Sequence, residues 1–153
     1  MKKHLQKDLM ALLEAIARIA DREHLSVYVV GGFVRDLLIN IQNLDVDIVV
    51  EGDGIGFAEM LARDLKGRVK SHVKFGTAVI ALENGFRIDV ATARVEFYPR
   101  PGALPEVERS LIEPDLSRRD FTINSLAVKL NGKEAFLLLD YFNGERDLKD
   151  RVI

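Results

Sequence analysis

Two acids stand one residue apart in an otherwise apolar run, Leu44-Asp45-Val46-Asp47-Ile48-Val49-Val50. β-Branched residues dominate the run, which therefore reads as a strand. Side chains alternate along a strand. Asp45 and Asp47 then share one face, about 7 Å apart, while Val46, Ile48 and Val50 take the other. Two carboxylates held side by side repel each other. A divalent cation removes that cost, and Mg²⁺ favours one or two carboxylates together with substrate phosphates. D-x-D alone is better read as an edge strand with solvated acids, because acidic pairs are common. The glycines upstream tip the balance. Val27-Tyr28-Val29-Val30 reads as a buried strand that stops at Gly31-Gly32. A glycine pair lets backbone approach a bulky ligand with no Cβ in the way. Phe33–Ile39 then makes a short helix whose free N–H groups suit a phosphate.

A third acid and two arginines extend the pattern. Asn84-Gly85 is a two-residue hairpin signal joining strands Thr77–Glu83 and Phe86–Thr92. Pairing Glu83 with Phe86 sets Asp89 opposite Ile80. Arg87 and Asp89 share a face, with Ile88 and Val90 on the other. Asp89 is thus a candidate third carboxylate presented as Asp45 and Asp47 are, and the three are expected to converge over the glycine bend. Ser117-Arg118-Arg119-Asp120 reads as a helix start, with Ser117 as N-cap and Asp120 at N3. Two arginines there oppose the helix dipole, a cost that a triphosphate near Arg118 or Arg119 would reverse. A surface pair balanced by Asp115 and Asp120 fits equally well.

The elements that must position these groups follow from periodicity. Leu5, Leu9, Leu12, Leu13, Ile16 and Ile19 mark one face of a helix from about Lys3 to Arg22, within an N-terminal segment 1–24. Glu51–Gly56 is a glycine-rich turn into a second helix, Phe57–Leu65, closed by Gly67. Arg68–Val73 reads as a strand, turned by Phe75-Gly76. All four prolines, Pro99, Pro101, Pro105 and Pro114, fall in the stretch 94–116, which reads as a long mobile loop. Leu126–Leu130 and Glu134–Asp140 flank Asn131-Gly132-Lys133 as another hairpin. After Asn143-Gly144 a polar stretch runs to Ile153 with no further helix expected.

At 153 residues the chain makes one domain with a real core. It has no cysteine, hence no disulfide or thiolate metal site. His4, His24 and His72 lack ligand spacing. A net charge of −2 argues against gripping nucleic acid through bulk positive charge. No apolar run approaches the roughly 20 residues of a membrane span. The N-terminus is interrupted by Asp8 and Glu14 where a signal peptide would be apolar. A cytoplasmic protein with no membrane partner is the expectation. Gly52-Asp53-Gly54-Ile55-Gly56 comes close to a dinucleotide-binding fingerprint, but position 57, where the third glycine belongs, is Phe57. A redox function is disfavoured on that departure.

Four motifs together resemble a known family: Gly31-Gly32-Phe33-Val34-Arg35-Asp36, then Asp45-Val46-Asp47, then Arg87-Ile88-Asp89-Val90-Ala91-Thr92-Ala93-Arg94, then Arg118-Arg119-Asp120-Phe121-Thr122-Ile123-Asn124-Ser125-Leu126-Ala127. The closing Leu139-Asp140-Tyr141-Phe142-Asn143-Gly144-Glu145-Arg146-Asp147-Leu148 shares the likeness. The chain resembles the class II tRNA nucleotidyltransferase and bacterial poly(A) polymerase family from about Val27 to its end. The resemblance implies an α+β fold, a DNA polymerase β-like head with a small mixed sheet flanked by helices. It implies Mg²⁺-dependent addition of nucleotides from ATP and/or CTP to an RNA 3′ end, that of tRNA above all, without a template. By matching positions, Asp45 and Asp47 would hold metal. Gly31, Gly32, Arg35, Arg118 and Arg119 would meet the triphosphate, and Asp120 and Asn124 would orient the nucleotide. Asp89 would be the third carboxylate, as base for the RNA 3′ hydroxyl. The family reads the base with a helical neck carrying an E-D-x-x-R-type motif. None follows Ile153, so the chain is expected to be an isolated head, weakly active, inactive or a nucleotide-binding fragment by itself.

Overall fold

The computed structural model describes residues 2–153. Its α-helices are α1 (Lys2–Arg22), α2 (Gly32–Leu38), α3 (Gly54–Leu65), α4 (Ile112–Ser117) and α5 (Gly144–Asp150). The strands are β1 (Ser26–Val30), β2 (Asp45–Glu51), β3 (Arg68–His72), β4 (Thr77–Ala81), β5 (Arg87–Thr92), β6 (Arg94–Phe97), β7 (Glu106–Arg109), β8 (Ala127–Lys129) and β9 (Leu138–Leu139). Seven strands form one mixed sheet in the order β3-β4-β5-β2-β1-β8-β9, and β6 and β7 make a separate ribbon. Among the described residues only β2 and β5 pair in parallel. The α+β fold with a small mixed sheet flanked by helices stands as expected.

The two faces of the sheet differ in chemistry because each strand alternates. Val27 and Val29, Val46, Ile48 and Val50, Ala78 and Ile80, and Ile88 and Val90 all bury one face. Leu12, Leu13, Ile16 and Ile19 of α1 and Phe57, Ala58 and Leu61 of α3 cover them. A smaller cluster on the opposite face joins Tyr28, Val30, Val49 and Ala127 to Ala93, Ile112 and Leu116. That cluster leaves the first half of β2 and β5 uncovered, and there Asp45, Asp47, Arg87 and Asp89 emerge.

Polar contacts fix the covering helices. Arg22 Nη1 donates to Asp64 Oδ2 at 3.0 Å, tying α1 to α3. The buried Asn131 joins α1 to the sheet: its Oδ1 accepts from the Val27 N–H at 3.0 Å, and its Nδ2 donates to Asp21 Oδ1 at 2.9 Å and to the Leu25 carbonyl at 2.7 Å. The sequence marks Asn131 only as a turn residue.

Several expectations need correction. α3 starts at Gly54, capped by Asp53, whose carboxylate accepts from the Gly56 N–H at 3.0 Å. Its left-handed terminal residue is Lys66 (φ 56°), not Gly67. The β4–β5 turn is one residue longer than a two-residue hairpin: Leu82 donates to the Phe86 carbonyl at 2.9 Å. The register moves accordingly, and Asp89 pairs with Val79 while Ile88 pairs with Ile80. This is the register that alternation demands, with apolar facing apolar. The proline-rich stretch is not one loop but holds β6, β7 and α4. Helix α4 ends where a helix was expected to begin: Arg118 is its C-terminal cap, and Ser117 Oγ donates to the Pro114 carbonyl at 2.8 Å. Strands β8 and β9 pair through Ala127–Leu139 and Val128–Leu138, and Lys129 carries the ladder on by donating to the Leu137 carbonyl at 3.2 Å, so the hairpin forms with a connection longer than the three-residue turn expected. The polar end does contain a helix, α5. Asp140 holds its start by accepting from the Gly144 and Glu145 N–H groups at 2.7 and 3.0 Å.

Candidate active site

Parallel pairing of β2 with β5 sets Asp45 beside Arg87 and Asp47 beside Asp89. Asp45 is exposed, while Asp47 and Asp89 are half-buried. Burial pushes the Asp47 carboxyl up to about 6, helped by the negative charges of Asp89 and Asp45 and opposed by the positive charges of Arg119 and Arg87. A carboxylate so placed is short of positive charge. Asp89 Oδ1 accepts from Arg87 Nη2 at 3.2 Å. The three acids share a face, yet among the described residues no three acidic or histidine side chains close into a ready-made metal cage. The donor set is all oxygen, which suits a hard cation whose remaining positions are filled by water or substrate oxygens.

Antiparallel pairing of β1 with β2 brings the end of β1 beside the start of β2. Gly31 stands at that end with φ 69° and ψ −139°, a conformation that side chains rarely adopt. A Cβ on Gly31 would lie 3.1 Å from Arg119 Nη1 and 3.7 Å from the Asn124 carbonyl oxygen. The bend therefore needs glycine both for its backbone and for the guanidinium packed on it. Arg35 Nη1 donates to Asn124 Oδ1 at 2.9 Å, and its Nε and Nη2 donate to Asp36 Oδ1 at 3.0 and 2.8 Å. Asp36 Oδ2 accepts from Asn43 Nδ2 at 2.9 Å, and Asn43 Oδ1 accepts from the Asp45 N–H at 2.8 Å. One hydrogen-bonded chain thus runs from Asn124 through Arg35, Asp36 and Asn43 to the main-chain N–H of Asp45, the first acid of the pair. Gly31→Ala is expected to cost about 1–3 kcal/mol of stability. A thermal melt would test it; an unchanged melting temperature would refute the crowding argument.

The double arginine splits. Asp115 is 1% exposed and lies between the two side chains. Its Oδ1 accepts from Arg119 Nη2 at 3.3 Å, and its Oδ2 accepts from Arg118 Nη2 at 3.4 Å and from the Arg94 N–H at 2.9 Å. Arg118 leans toward Glu96, at 3.9 Å, while Arg119 reaches Gly31. Arg119 Nε is buried and without a hydrogen-bond partner among the described residues, a donor set beside the glycine bend. Asp120 is exposed. The structure thus gathers Gly31, Gly32, Arg35, Arg119 and Asn124 on the β1 side of the carboxylates. Arg118 and Asp120 lie further out. Asp36, Asn43 and Asp115 were missed as site residues. The signal for Asp115 was its spacing, three and four residues before the arginines, which matters only once a helix is placed there.

α5 braces this arrangement. Gly144 is buried so closely on the turn Thr122–Asn124 that a Cβ would collide with the Thr122 carbonyl. Thr122 Oγ1 donates to Asp147 Oδ2 at 2.5 Å.

Residues 27–153 match the family described as Poly A polymerase head domain. The chain is 54% identical over 153 residues to an A-adding tRNA nucleotidyltransferase of Geobacter sulfurreducens, covering all of this chain and 17% of that protein. A solved CCA-adding enzyme in an apo form superposes with a TM-score of 0.86 at 51% identity, covering 94% of this chain and 34% of that one. The Thermotoga maritima CCA-adding enzyme complexed with tRNA gives 0.79 at 48% identity, over 93% of this chain and 31% of that one. The chain thus spans about a sixth of the first protein and about a third of each solved enzyme.

Proposed function

The chain belongs to the Poly A polymerase head domain family, and from that premise we propose that it is the catalytic head of a cytoplasmic enzyme adding nucleotides to the 3′ end of tRNA. The observation that carries this reading is the pairing of Asp47 with Asp89 on one face, flanked on the β1 side by Gly31, Arg35, Arg119 and Asn124. Carboxylates on a rigid sheet beside an arginine-lined glycine bend suit phosphoryl transfer, where positioning and charge stabilisation supply most of the rate.

Asp45 and Asp47 would hold Mg²⁺. Bound there, it supplies charge neutralisation at the phosphates and a more acidic RNA 3′ hydroxyl. Arg119 and Arg35, with the open backbone of Gly31 and Gly32, bind the triphosphate. Arg118 adds positive charge from further out, and Asp120 and Asn124 orient the nucleotide. Asp89 takes the proton from the 3′ hydroxyl as that oxygen attacks the α-phosphorus. The new ester bond forms while the bond to pyrophosphate breaks.

The name of the 54% identical relative favours AMP as the transferred group; CMP is the other candidate. The test is RNA 3′-end sequencing after reaction of the protein with Mg²⁺ and either ATP or CTP, on tRNA ending in CC, in C, or in neither. One added A on the CC-ended tRNA is expected. A long A tail would instead indicate poly(A) synthesis. No extension of any RNA, with nucleotide still bound, would reduce the chain to a binding module.

A further inference from the structure

The sheet order places the triphosphate groups on β1, to one side of the carboxylates of β2 and β5, and leaves β4 and β3 on the other. In-line displacement has the nucleophile and the leaving group on opposite sides of the reacting phosphorus. The β3 side is therefore where the attacking RNA strand must lie, and the residues found there suit it.

Strand β3 is an edge strand. Its Val69 and Ser71 pair with Ile80 and Ala78, which are buried under the helices. Alternation turns Arg68, Lys70 and His72 to the carboxylate face. All three are exposed, as are Lys66 and Lys74 at either end of the strand. Among the described residues none of the five stands in an ion pair. The register lines them up with the acids. One cross-strand row reads Lys70, Val79, Asp89, Asp47, and the next reads Arg68, Ala81, Arg87, Asp45. Three strand spacings separate Lys70 from Asp47, about 14 Å. The floor between, Val79 and Ala81, is small and uncharged, and neither is buried. Just past the strand, Phe75 is 59% exposed with Lys74 Nζ 5.9 Å from its ring centre. Basic residues that track a backbone, beside an exposed aromatic ring, are the features that hold single-stranded nucleic acid. Charged side chains on an edge strand also discourage strand pairing, but that role has no preference for face or register.

The geometry points to β3 as a phosphate-contact edge for the 3′-terminal single strand of the RNA, with Arg68 and Lys70 as its main contacts. The inference rests on the nucleotide-adding function proposed above.

The test uses the full protein and the double variant Arg68→Gln/Lys70→Gln. A second double variant, Lys7→Gln/Arg18→Gln, changes the charge equally on α1, on the other side of the sheet. Binding is read by fluorescence anisotropy with tRNA lacking its terminal nucleotide. The expected result is tRNA binding weakened about tenfold by the β3 variant, with its salt slope lowered by about 1–2 and ATP binding unchanged. The α1 variant should behave as wild type. Equal losses in both variants would overturn the local site, as would unchanged tRNA binding in a β3 variant with a normal melting temperature. Weakened binding to anionic vesicles with intact tRNA binding would assign the edge to a membrane and also overturn it. If the wild type binds tRNA through this edge but adds no nucleotide, the proposed function fails and this inference stands. If it adds nucleotides and the β3 variant does so with an unchanged Michaelis constant for RNA, the reverse holds.

Discussion

Asp47→Asn is expected to lower nucleotide addition by at least on the order of 10²–10³-fold, the scale of losing one preorganised electrostatic contact, and at the same time to make the cation-free protein more stable. The two effects come from one cause. In the folded chain the Asp47 carboxyl is pushed up to about 6 by burial and by the nearby charges of Asp89 and Asp45. Its value in the unfolded chain is close to 3.9. Below about pH 4 both states carry the proton and the residue contributes nothing. Between 4 and 6 the folded state still holds the proton while the unfolded state has released it, so stability falls as pH rises. Above 6 the full penalty is present, on the order of 1–2 kcal/mol after allowance for partial solvent screening. Asparagine keeps the shape and removes the charge. In EDTA at pH 7.5 its melting temperature should therefore lie a few degrees above wild type, and Mg²⁺ with nucleotide should narrow the gap. A variant less stable than wild type in EDTA would mean that the Asp47 charge is already compensated by Arg119 and Arg87. Activity near wild type would remove Asp47 from the reaction altogether.

The same charge arrangement explains which parts of the site could be read from the chain alone. Asp45, Asp47 and Asp89 were legible because a buried strand face is apolar at every second position. An acid out of phase with Val46, Ile48, Ile88 and Val90 must point the other way. Gly31 was legible as the stop after an apolar strand, and α1 through its long apolar stripe. The register between β4 and β5 was not. Asn84-Gly85 suggests a two-residue turn, whereas the observed turn takes in Glu83 as well. Only the partners Ile80 and Val79 decide between the two.

Short elements were the least legible, for reasons that differ. Helix α4 has six residues with Pro114 among them. Pro114 occupies the first turn, where its missing N–H would have had no helical partner in any case. A proline that looked like a loop marker is therefore compatible with the helix. The ribbon strand β7 is exposed along its whole length and carries no alternation. Helix α5 is held by Asp140, which lies outside it, and has almost no apolar stripe of its own. In each case the element lacks the long apolar stripe or alternation by which α1 and β2 announce themselves.

Asp115→Ala should have the second large effect, and it separates support of the arginines from contact with substrate. Asp115 is buried and accepts from one main-chain N–H and two guanidinium groups. Its removal leaves the Arg94 N–H unpaired and Arg118 and Arg119 without their shared counter-charge. Breaking a buried pair from one side costs about 3–5 kcal/mol. Both arginines retain some exposure, so about 2–4 kcal/mol is expected here, read from a denaturant titration. Arg119 then loses the contact that aims it across Gly31. The Michaelis constant for the nucleotide should rise at least tenfold while that for RNA stays within about twofold, because the partners of Asp115 are Arg94, Arg118 and Arg119 and none lies on β3, the edge proposed for RNA. Asp115→Asn keeps the acceptor for the Arg94 N–H but turns an amide donor toward a guanidinium, so it should fall between wild type and alanine. In combination with Arg119→Met, the kinetic effects should be far less than additive, since both changes remove the same aimed group. Full additivity would show that Asp115 acts apart from Arg119. A destabilised variant with unchanged nucleotide kinetics would make it a structural buried acid and nothing more.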